Sequence, residues 1–202
     1  MFNGLIKEFA EVKEFSGNVL KIKAKYKPNL GDSVSINGAC LSVTKLFNDG
    51  FSVELSSESR SVLAIENYKD KVHIEPAMRI GDRIDGHLVQ GHIDGIGVIY
   101  KIEKKESGSD FFIELPKKLM HLVANKGSIC VDGVSLTISE ILQNGIRISI
   151  IPLTLKDTLF GEYRVNRRVN IETDLLARYV ARLIECKKEL TWEKVELISS
   201  LY

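Results

Sequence analysis

The chain is poor in cysteine. Cys40, Cys130 and Cys186 stand far apart, odd in number, with no Cys-x-x-Cys pair. That pattern excludes a disulfide scaffold and reads as a reduced, cytoplasmic protein. Charge of one sign is also missing, since 28 basic residues against 27 acidic leave a net charge of +1. A broad basic surface for nucleic acid is thereby excluded. No apolar run approaches the roughly 18–20 residues of a membrane span. The opening MFNGLIKEFAEV lacks a basic leader followed by an apolar core, which argues against a signal peptide. The glycines around Gly91, Gly95 and Gly97 form no Gly-x-Gly-x-x-Gly, because position 100 is Tyr100. There is no dinucleotide fingerprint.

What the chain does have is a repeat. GDSVSINGACLSV (31–43) and KGSICVDGVSLTI (126–138) superpose at an offset of 95 positions. Asn37-Gly38 then matches Asp132-Gly133, and Cys40-Leu41-Ser42 matches Ser135-Leu136-Thr137. Val72-His73-Ile74-Glu75 matches Val169-Asn170-Ile171-Glu172 at offset 97, and Gly4 matches Gly91 at offset 87. A period of this size is too long for a solenoid unit of about 20–50 residues and fits two tandem small domains. Each half buries only a modest core alone, so docking of the halves or oligomerisation is expected. Two similar halves imply two similar pockets, and chemistry on two similar molecules.

Short segments of alternating polarity dominate both halves. Leu20, Ile22 and Ala24 alternate; Ser33–Ile36 turns at Asn37-Gly38; Phe51–Leu55 follows Asp49-Gly50. The second half answers with strands at Gly95–Ile102, Phe111–Leu115, Ile129–Val131, Ser135–Ser139, Ile146–Ile150 and Val169–Glu172. Alternation punctuated by Asn-Gly and Asp-Gly predicts compact all-β units. Gly4 and Gly91 are expected to begin equivalent strands. The change of offset predicts a loop about eight residues longer in the second half, placed at Lys104–Ser109 as a solvated charged turn. From residue 175 the period changes. Leu175, Leu176, Tyr179, Val180, Leu183 and Ile184 form a helical stripe, with Thr173 as expected N-cap and Asp174 in the first turn. Trp192, Val195, Leu197 and Ile198 suggest further helical turns. The stripe must be covered by the chain's own barrels or by neighbouring helices.

The densest polar cluster is His87-Leu-Val-Gln-Gly-His92-Ile-Asp94-Gly. As a metal site it is weak. Along a strand, a spacing of five puts the two histidines on opposite faces, and no further ligand stands at ligand spacing. The plain structural reading is that both rings hydrogen-bond backbone near the joint between the halves. His92 keeps functional interest because Gly91 and Gly95 allow close approach of a ligand. Cys40 and Ser42, like Ser135 and Thr137, put small polar groups on one face of a strand, where a purely structural strand favours Val or Ile. A buried thiol is usually inert.

Taken in order, Met1–Ile6, Asn37–Thr44, Gly86–Gly95, Lys126–Ile129, Asp132–Thr137, Ile151–Thr154 and Val169–Asp174 resemble the riboflavin synthase family of the α-subunit type over essentially the whole chain. The resemblance implies an all-β fold of two tandem six-stranded antiparallel Greek-key barrels, 1–85 and 86–174, each binding a lumazine. A helical segment, 175–202, would drive trimer formation. It implies a four-carbon transfer between two molecules of 6,7-dimethyl-8-ribityllumazine, giving riboflavin and 5-amino-6-ribitylamino-2,4(1H,3H)-pyrimidinedione. No metal and no organic cofactor take part. The working site would lie between subunits, and lumazine synthase is a candidate partner; no nucleic acid or membrane is implied.

Position by position, the resemblance assigns the first-barrel ligand to Gly4, Leu5, Ile6, Cys40, Leu41, Ser42, Glu54, Leu55, Ser56, Ser57, Glu58 and Ser59. It assigns the second-barrel ligand to Gly91, His92, Ile93, Lys126, Ser135, Leu136, Thr137, Ser149, Ile150, Ile151, Pro152, Leu153 and Thr154. Turnover is linked to Phe2, Cys40, His92 and Asp174, with Ser135 as an alternative to His92 in proton transfer. Asn3, Ser42, Ser59 and Leu63 stand where the family commonly has threonine, and Leu153 where it has a polar residue. A single-chromophore lumazine-binding protein of the same fold is the main rival, but both small-polar strands and Gly91-His92 are intact here. A flavin-binding reductase barrel would need a nucleotide-binding partner domain, and no glycine fingerprint for one is present.

Overall fold

The computed structural model describes residues 1–188. The first six strands are β1 (Glu8–Ser16), β2 (Val19–Lys23), β3 (Ser33–Ile36), β4 (Ala39–Phe47), β5 (Gly50–Glu54) and β6 (Lys71–Pro76). They close into a barrel in the order β1-β2-β5-β4-β3-β6, every pair antiparallel. The second half adds β7 (Gly95–Lys105), β8 (Gly108–Glu114), β9 (Ser128–Val131), β10 (Val134–Leu142), β11 (Gly145–Ile150) and β12 (Arg168–Thr173). It closes in the same Greek-key order, β7-β8-β11-β10-β9-β12. Short helices α1 (Ser57–Val62) and α2 (Pro152–Asp157) precede the last strand of each barrel, and α3 (Leu175–Lys188) follows both.

Alternation decides which side chains fill each barrel. Leu20, Val34, Ile36, Phe51, Val53, Val72 and Ile74 are fully buried in the first. Ile99, Ile113, Ile129, Val131, Ile138, Ile146, Ile148, Val169 and Ile171 are fully buried in the second. Each contributes about 1.5–3 kcal/mol of transfer free energy. The Asn37-Gly38 and Asp132-Gly133 turns carry positive φ at both residues, 46° and 85° in one and 47° and 86° in the other. That is the two-residue hairpin whose twist matches its strands. Register shifts recur at equivalent places, Val12/Glu14 with Ile99/Lys101 and Val43/Lys45 with Ile138/Glu140. Such bulges supply the bending a closed barrel needs.

Three local expectations change. Gly4 and Gly91 lie four residues before the strands they were expected to begin; both are turn residues, with φ of 75° and 81°. Lys104–Ser109 is not a long loop. Lys104 and Lys105 end β7, Gly108 begins β8, and Lys105 pairs with the buried Asp110 carboxylate. The extra residues lengthen both hairpin arms, to 11 and 7 residues against 9 and 5 in the first half, and enter the connection holding a 3₁₀ turn at Lys117–Leu122. Thr173 does not cap α3; it is the buried end of β12, its N–H and hydroxyl both donating to Asp94 Oδ2. Asp174 is the cap, its Oδ1 accepting the Leu176 N–H at 2.8 Å, the usual N-cap to N2 bond.

Along α3, Leu176, Tyr179, Val180, Leu183 and Ile184 are all more than half exposed. The stripe is therefore not covered by the chain's own barrels. The expected turns around Trp192, Val195, Leu197 and Ile198 lie outside the described residues.

The barrels meet across a local two-fold in which equivalent residues play equivalent parts. From β6, His73 Nδ1 donates to the Asp132 carbonyl at 2.8 Å, and its Nε2 accepts the Leu159 N–H at 2.7 Å. From β12, Asn170 Nδ2 donates to the Asn37 carbonyl and its Oδ1 accepts the Ala64 N–H, both at 2.8 Å. Both side chains are buried and paired at each polar end, as a dry interface requires. Burial pushes the His73 ring down to about 4, so it stays neutral at pH 7 and keeps one tautomer.

Candidate functional site

The candidate site residues meet where the segment before each first strand crosses to the opposite barrel. Residues 1–6 run over the second barrel. The Gly4 carbonyl accepts the Ser135 N–H at 2.8 Å, and Ile6 packs on the second core. Residues 86–93 run over the first. The Gly91 carbonyl accepts the Cys40 N–H at 2.8 Å, and Ile93 packs on the first core. The segments are joined by a bridge in which Phe2 N–H donates to Val89 O at 2.6 Å and Val89 N–H to Phe2 O at 3.0 Å. Phe2 is fully buried between them with Val89 and Cys130.

Only glycine fits at either crossing. A Cβ on Gly4 would sit 2.6 Å from the Ser135 Cβ, and one on Gly91 would sit 2.6 Å from the Cys40 Cβ. Positive φ adds the steric cost of a left-handed L-residue, about 1–2 kcal/mol.

This exchange corrects the expected grouping. Gly4 and Ile6 lie against Ser135 and Gly133 of the second barrel, whereas Gly91, His92 and Ile93 lie with Cys40 of the first; Leu5 lines a cleft with Tyr26, Glu75 and Pro76 of the first half. Cys40, Glu58, Ser59, Leu63, Gly91, His92 and Ile93 line one cavity of about 270 Å³. His92 is exposed at this cavity and Cys40 half-buried. Leu63, in place of a threonine, makes that wall apolar.

Of the stretch Glu54–Ser59, Glu58 and Ser59 reach the cavity. Leu55 is buried in the core, Ser56 caps α1 by accepting the Ser59 N–H, and Glu54 accepts from Asn18 on the outer surface. The second stretch occupies the equivalent elements. Ile150 is core, Ser149 donates to Asp110 at 2.6 Å, and Pro152, Leu153 and Thr154 lie on α2, with Ile151 before it. On the two central strands Leu41 and Leu136 point into their cores while Ser42 and Thr137 are exposed. Lys126 is exposed and held at φ 64°, where the repeat has Gly31 at φ 83°.

His87 departs from the plain structural reading. Its ring does not bond backbone; Nδ1 lies 2.7 Å from the Ser135 hydroxyl, and its buried Nε2 has no partner among the described residues. Burial holds the ring below its ordinary value, with the Asp174 carboxylate pulling the other way. A neutral imidazole bonded to a serine hydroxyl can take that hydroxyl's proton. The two histidines thus serve different barrels, His87 beside Ser135 and His92 beside Cys40.

Two buried glutamates hold the crossing segments. Glu75 accepts the N–H groups of Asn3 at 2.7 Å and Gly4 at 2.9 Å. Its equivalent Glu172 accepts those of Gln90 at 2.7 Å, Gly91 at 2.8 Å and His92 at 3.2 Å. Burial pushes Glu75 up to about 7, against the lowering effect of those N–H bonds and of Lys7. Glu172 is also raised by burial, while its N–H bonds and the Arg178 charge pull it back. Asn3 secures the other side of its segment, its Oδ1 accepting the Gly86 N–H and its Nδ2 donating to the Arg83 carbonyl.

Comparison with known proteins agrees with this architecture. A family model described as "Lumazine binding domain" matches residues 3–77 and again 90–174. The riboflavin synthase of Bacillus subtilis (strain 168) is 33% identical over 198 residues, covering 94% of this chain and 92% of that protein. That of Brucella abortus (strain 2308) is 35% identical over 204 residues, covering 93% and 100%. That of Photobacterium leiognathi is 37% identical over 159 residues, covering 78% and 73%. Among solved structures, LumP complexed with 6,7-dimethyl-8-(1'-D-ribityl) lumazine superposes with a TM-score of 0.76 at 22% identity, covering 86% of this chain and 99% of that one. LumP complexed with riboflavin gives the same TM-score at 23% identity. The chain belongs to the riboflavin synthase family, whose lumazine-binding domain it carries twice.

Proposed function

We propose that the chain catalyses the dismutation of two 6,7-dimethyl-8-ribityllumazine molecules to riboflavin and 5-amino-6-ribitylamino-2,4(1H,3H)-pyrimidinedione. The observation that supports this reading is that both barrels keep the same frame at the crossing. Each has a small polar residue on its central strand, Cys40 or Ser135, facing a crossing glycine. A protein holding a single chromophore needs only one such frame.

The chemistry suits a site with little catalytic apparatus. The C7 methyl of one lumazine is acidic because its carbanion delocalises over the ring system, so a mild base removes the proton. That carbanion adds to the other lumazine. C6 and C7 of the donor then leave with their methyl groups and complete the third ring of riboflavin. Atoms balance between two substrates and two products, so neither water nor oxidant is consumed. Holding two rings in register supplies roughly 7–11 kcal/mol. His92, or Ser135 made more basic by His87, contributes a proton-transfer factor of about 10²–10⁴. Asp174 acts on the His87–Ser135 pair through its charge. Phe2 and the Phe2–Val89 bridge set the position of both segments, and Lys126 contacts the second ligand. Cys40 shapes the first pocket.

The exposed stripe of α3 supports a homotrimer in which the first barrel of one subunit faces the second barrel of the next. In this arrangement 1–85 and 86–174 are the two lumazine-binding units and 175–202 the trimerising segment. Lumazine synthase is a fitting partner, since it supplies the substrate. Free Cys40, Cys130 and Cys186 support a cytoplasmic location, and among the described residues no helix is long and apolar enough to cross a membrane. The test is incubation of the purified protein with 6,7-dimethyl-8-ribityllumazine alone. Riboflavin is expected by absorbance and chromatography, with one pyrimidinedione formed per riboflavin. Tight binding without turnover would establish the single-chromophore reading instead.

A further inference from the structure

The two crossing segments are held by equivalent glutamates but not by equivalent surroundings. Glu75 makes no ion pair among the described residues. Glu172 meets Arg178, the fourth residue of α3. One guanidinium nitrogen of Arg178 lies 2.9 Å from Gln90 Oε1 and 3.4 Å from Glu172 Oε1; the other lies 3.3 Å from Asp94 Oδ1. Gln90 and Asp94 bracket Gly91-His92-Ile93. The planar fork of arginine therefore ties both ends of the segment to the carboxylate that holds its middle. Asp94 is itself fixed, because its Oδ2 accepts the N–H and hydroxyl of Thr173.

We infer that Arg178 is a positioning residue: through Glu172, Gln90 and Asp94 it fixes the placement of His92 in the Cys40 pocket and so makes α3 part of the first barrel's site. The inference rests on the reading of His92 as a catalytic residue. Arg178 touches no part of the cavity lining and acts only through its three partners. Their charges support the assignment. Glu172 is almost fully buried and Asp94 mostly so, at 1% and 17% side-chain exposure, and two carboxylates so placed need a cation between them. The same α3 is capped by Asp174, whose charge acts on His87 beside Ser135. One helix thus reaches the site of each barrel, and a shift of α3 is transmitted to the first pocket through one side chain.

The test compares wild type with Arg178→Met and Arg178→Lys in the full chain. Amide hydrogen exchange is read at 90–92 and, as internal control, at the equivalent 3–5. In Arg178→Met, exchange at 90–92 is expected to rise tenfold or more while 3–5 stays unchanged. The kcat for riboflavin formation is expected to fall by about 10–100-fold, the scale of a misplaced catalytic group. Arg178→Lys, with one charge that cannot span both ends, falls between and keeps the fold testable if the methionine variant does not. Unchanged exchange at 90–92, or equal change in both segments, overturns the inference. Absence of turnover in the wild type overturns the functional reading alone, and the exchange comparison still decides the role of Arg178.

Discussion

The two barrels share a frame at the crossing and differ in the side chains that surround it. In each, a β-strand residue meets a crossing glycine held by a buried glutamate. In the first, Cys40 and His92 share a cavity, and Arg178 secures the segment. In the second, Ser135 is bonded to His87, Leu5 is the sequence counterpart of His92, and Glu75 meets no arginine among the described residues. Duplicated architecture sets where a ligand lies; a few non-equivalent side chains set what happens to it. Two copies of one substrate in opposite roles, donor and acceptor, require this kind of difference.

The greatest blow to both pockets at once is Phe2→Ala. Phe2 is fully buried and its backbone pairs with Val89, so it supports both segments. The expected cost is about 3–5 kcal/mol, measured by chemical denaturation, with loss of ligand affinity in both barrels. Damage confined to one barrel would show that the segments are independent.

Replacing His73 by asparagine makes the joint symmetric. His73 and Asn170 hold equivalent places, but only His73 titrates. Its folded-state value of about 4 lies below the ordinary 6.5. The unfolded chain therefore takes up a proton first, and stability is lost as pH falls from about 6.5 to about 4. His73→Asn lacks this loss. The stability gap between wild type and variant is expected to narrow over that window by up to about 3 kcal/mol. A gap that is constant with pH would mean that the His73 ring is not held neutral.

The smallest effect concerns a single backbone position. Lys126 adopts φ 64° where the first half uses Gly31. Lys126→Gly is expected to raise stability by about 1 kcal/mol, the cost of a left-handed non-glycine residue, while weakening binding in the second barrel. Unchanged binding would make the lysine a tolerated irregularity rather than a ligand contact.

Much of this fold was legible in the sequence. Alternating strands and the Asn37-Gly38 and Asp132-Gly133 turns carry local information, and the offset of 95 relates the two barrels. The small polar residues Cys40 and Ser135 stood out for the same reason. The crossing of the segments did not. Gly4 and Gly91 match at offset 87 whichever barrel they cover, because a repeat reports likeness and not contact. The His87–Ser135 bond spans 48 residues and leaves no local pattern. The sequence points to Thr173 as the cap with Asp174 in the first turn; burial at the end of β12 takes Thr173 out of that role and moves the cap one residue on, to Asp174.

The central claim is that each pocket is completed by the segment of the other half. It is tested most directly by titrating Gly4→Ala and Gly91→Ala with 6,7-dimethyl-8-ribityllumazine while following assigned NMR signals in both barrels. The account predicts that Gly4→Ala abolishes the response at Ser135 and Thr154 and spares Cys40 and Ser59, and that Gly91→Ala does the reverse. Loss of the Cys40 response in Gly4→Ala, with Ser135 unaffected, would contradict it.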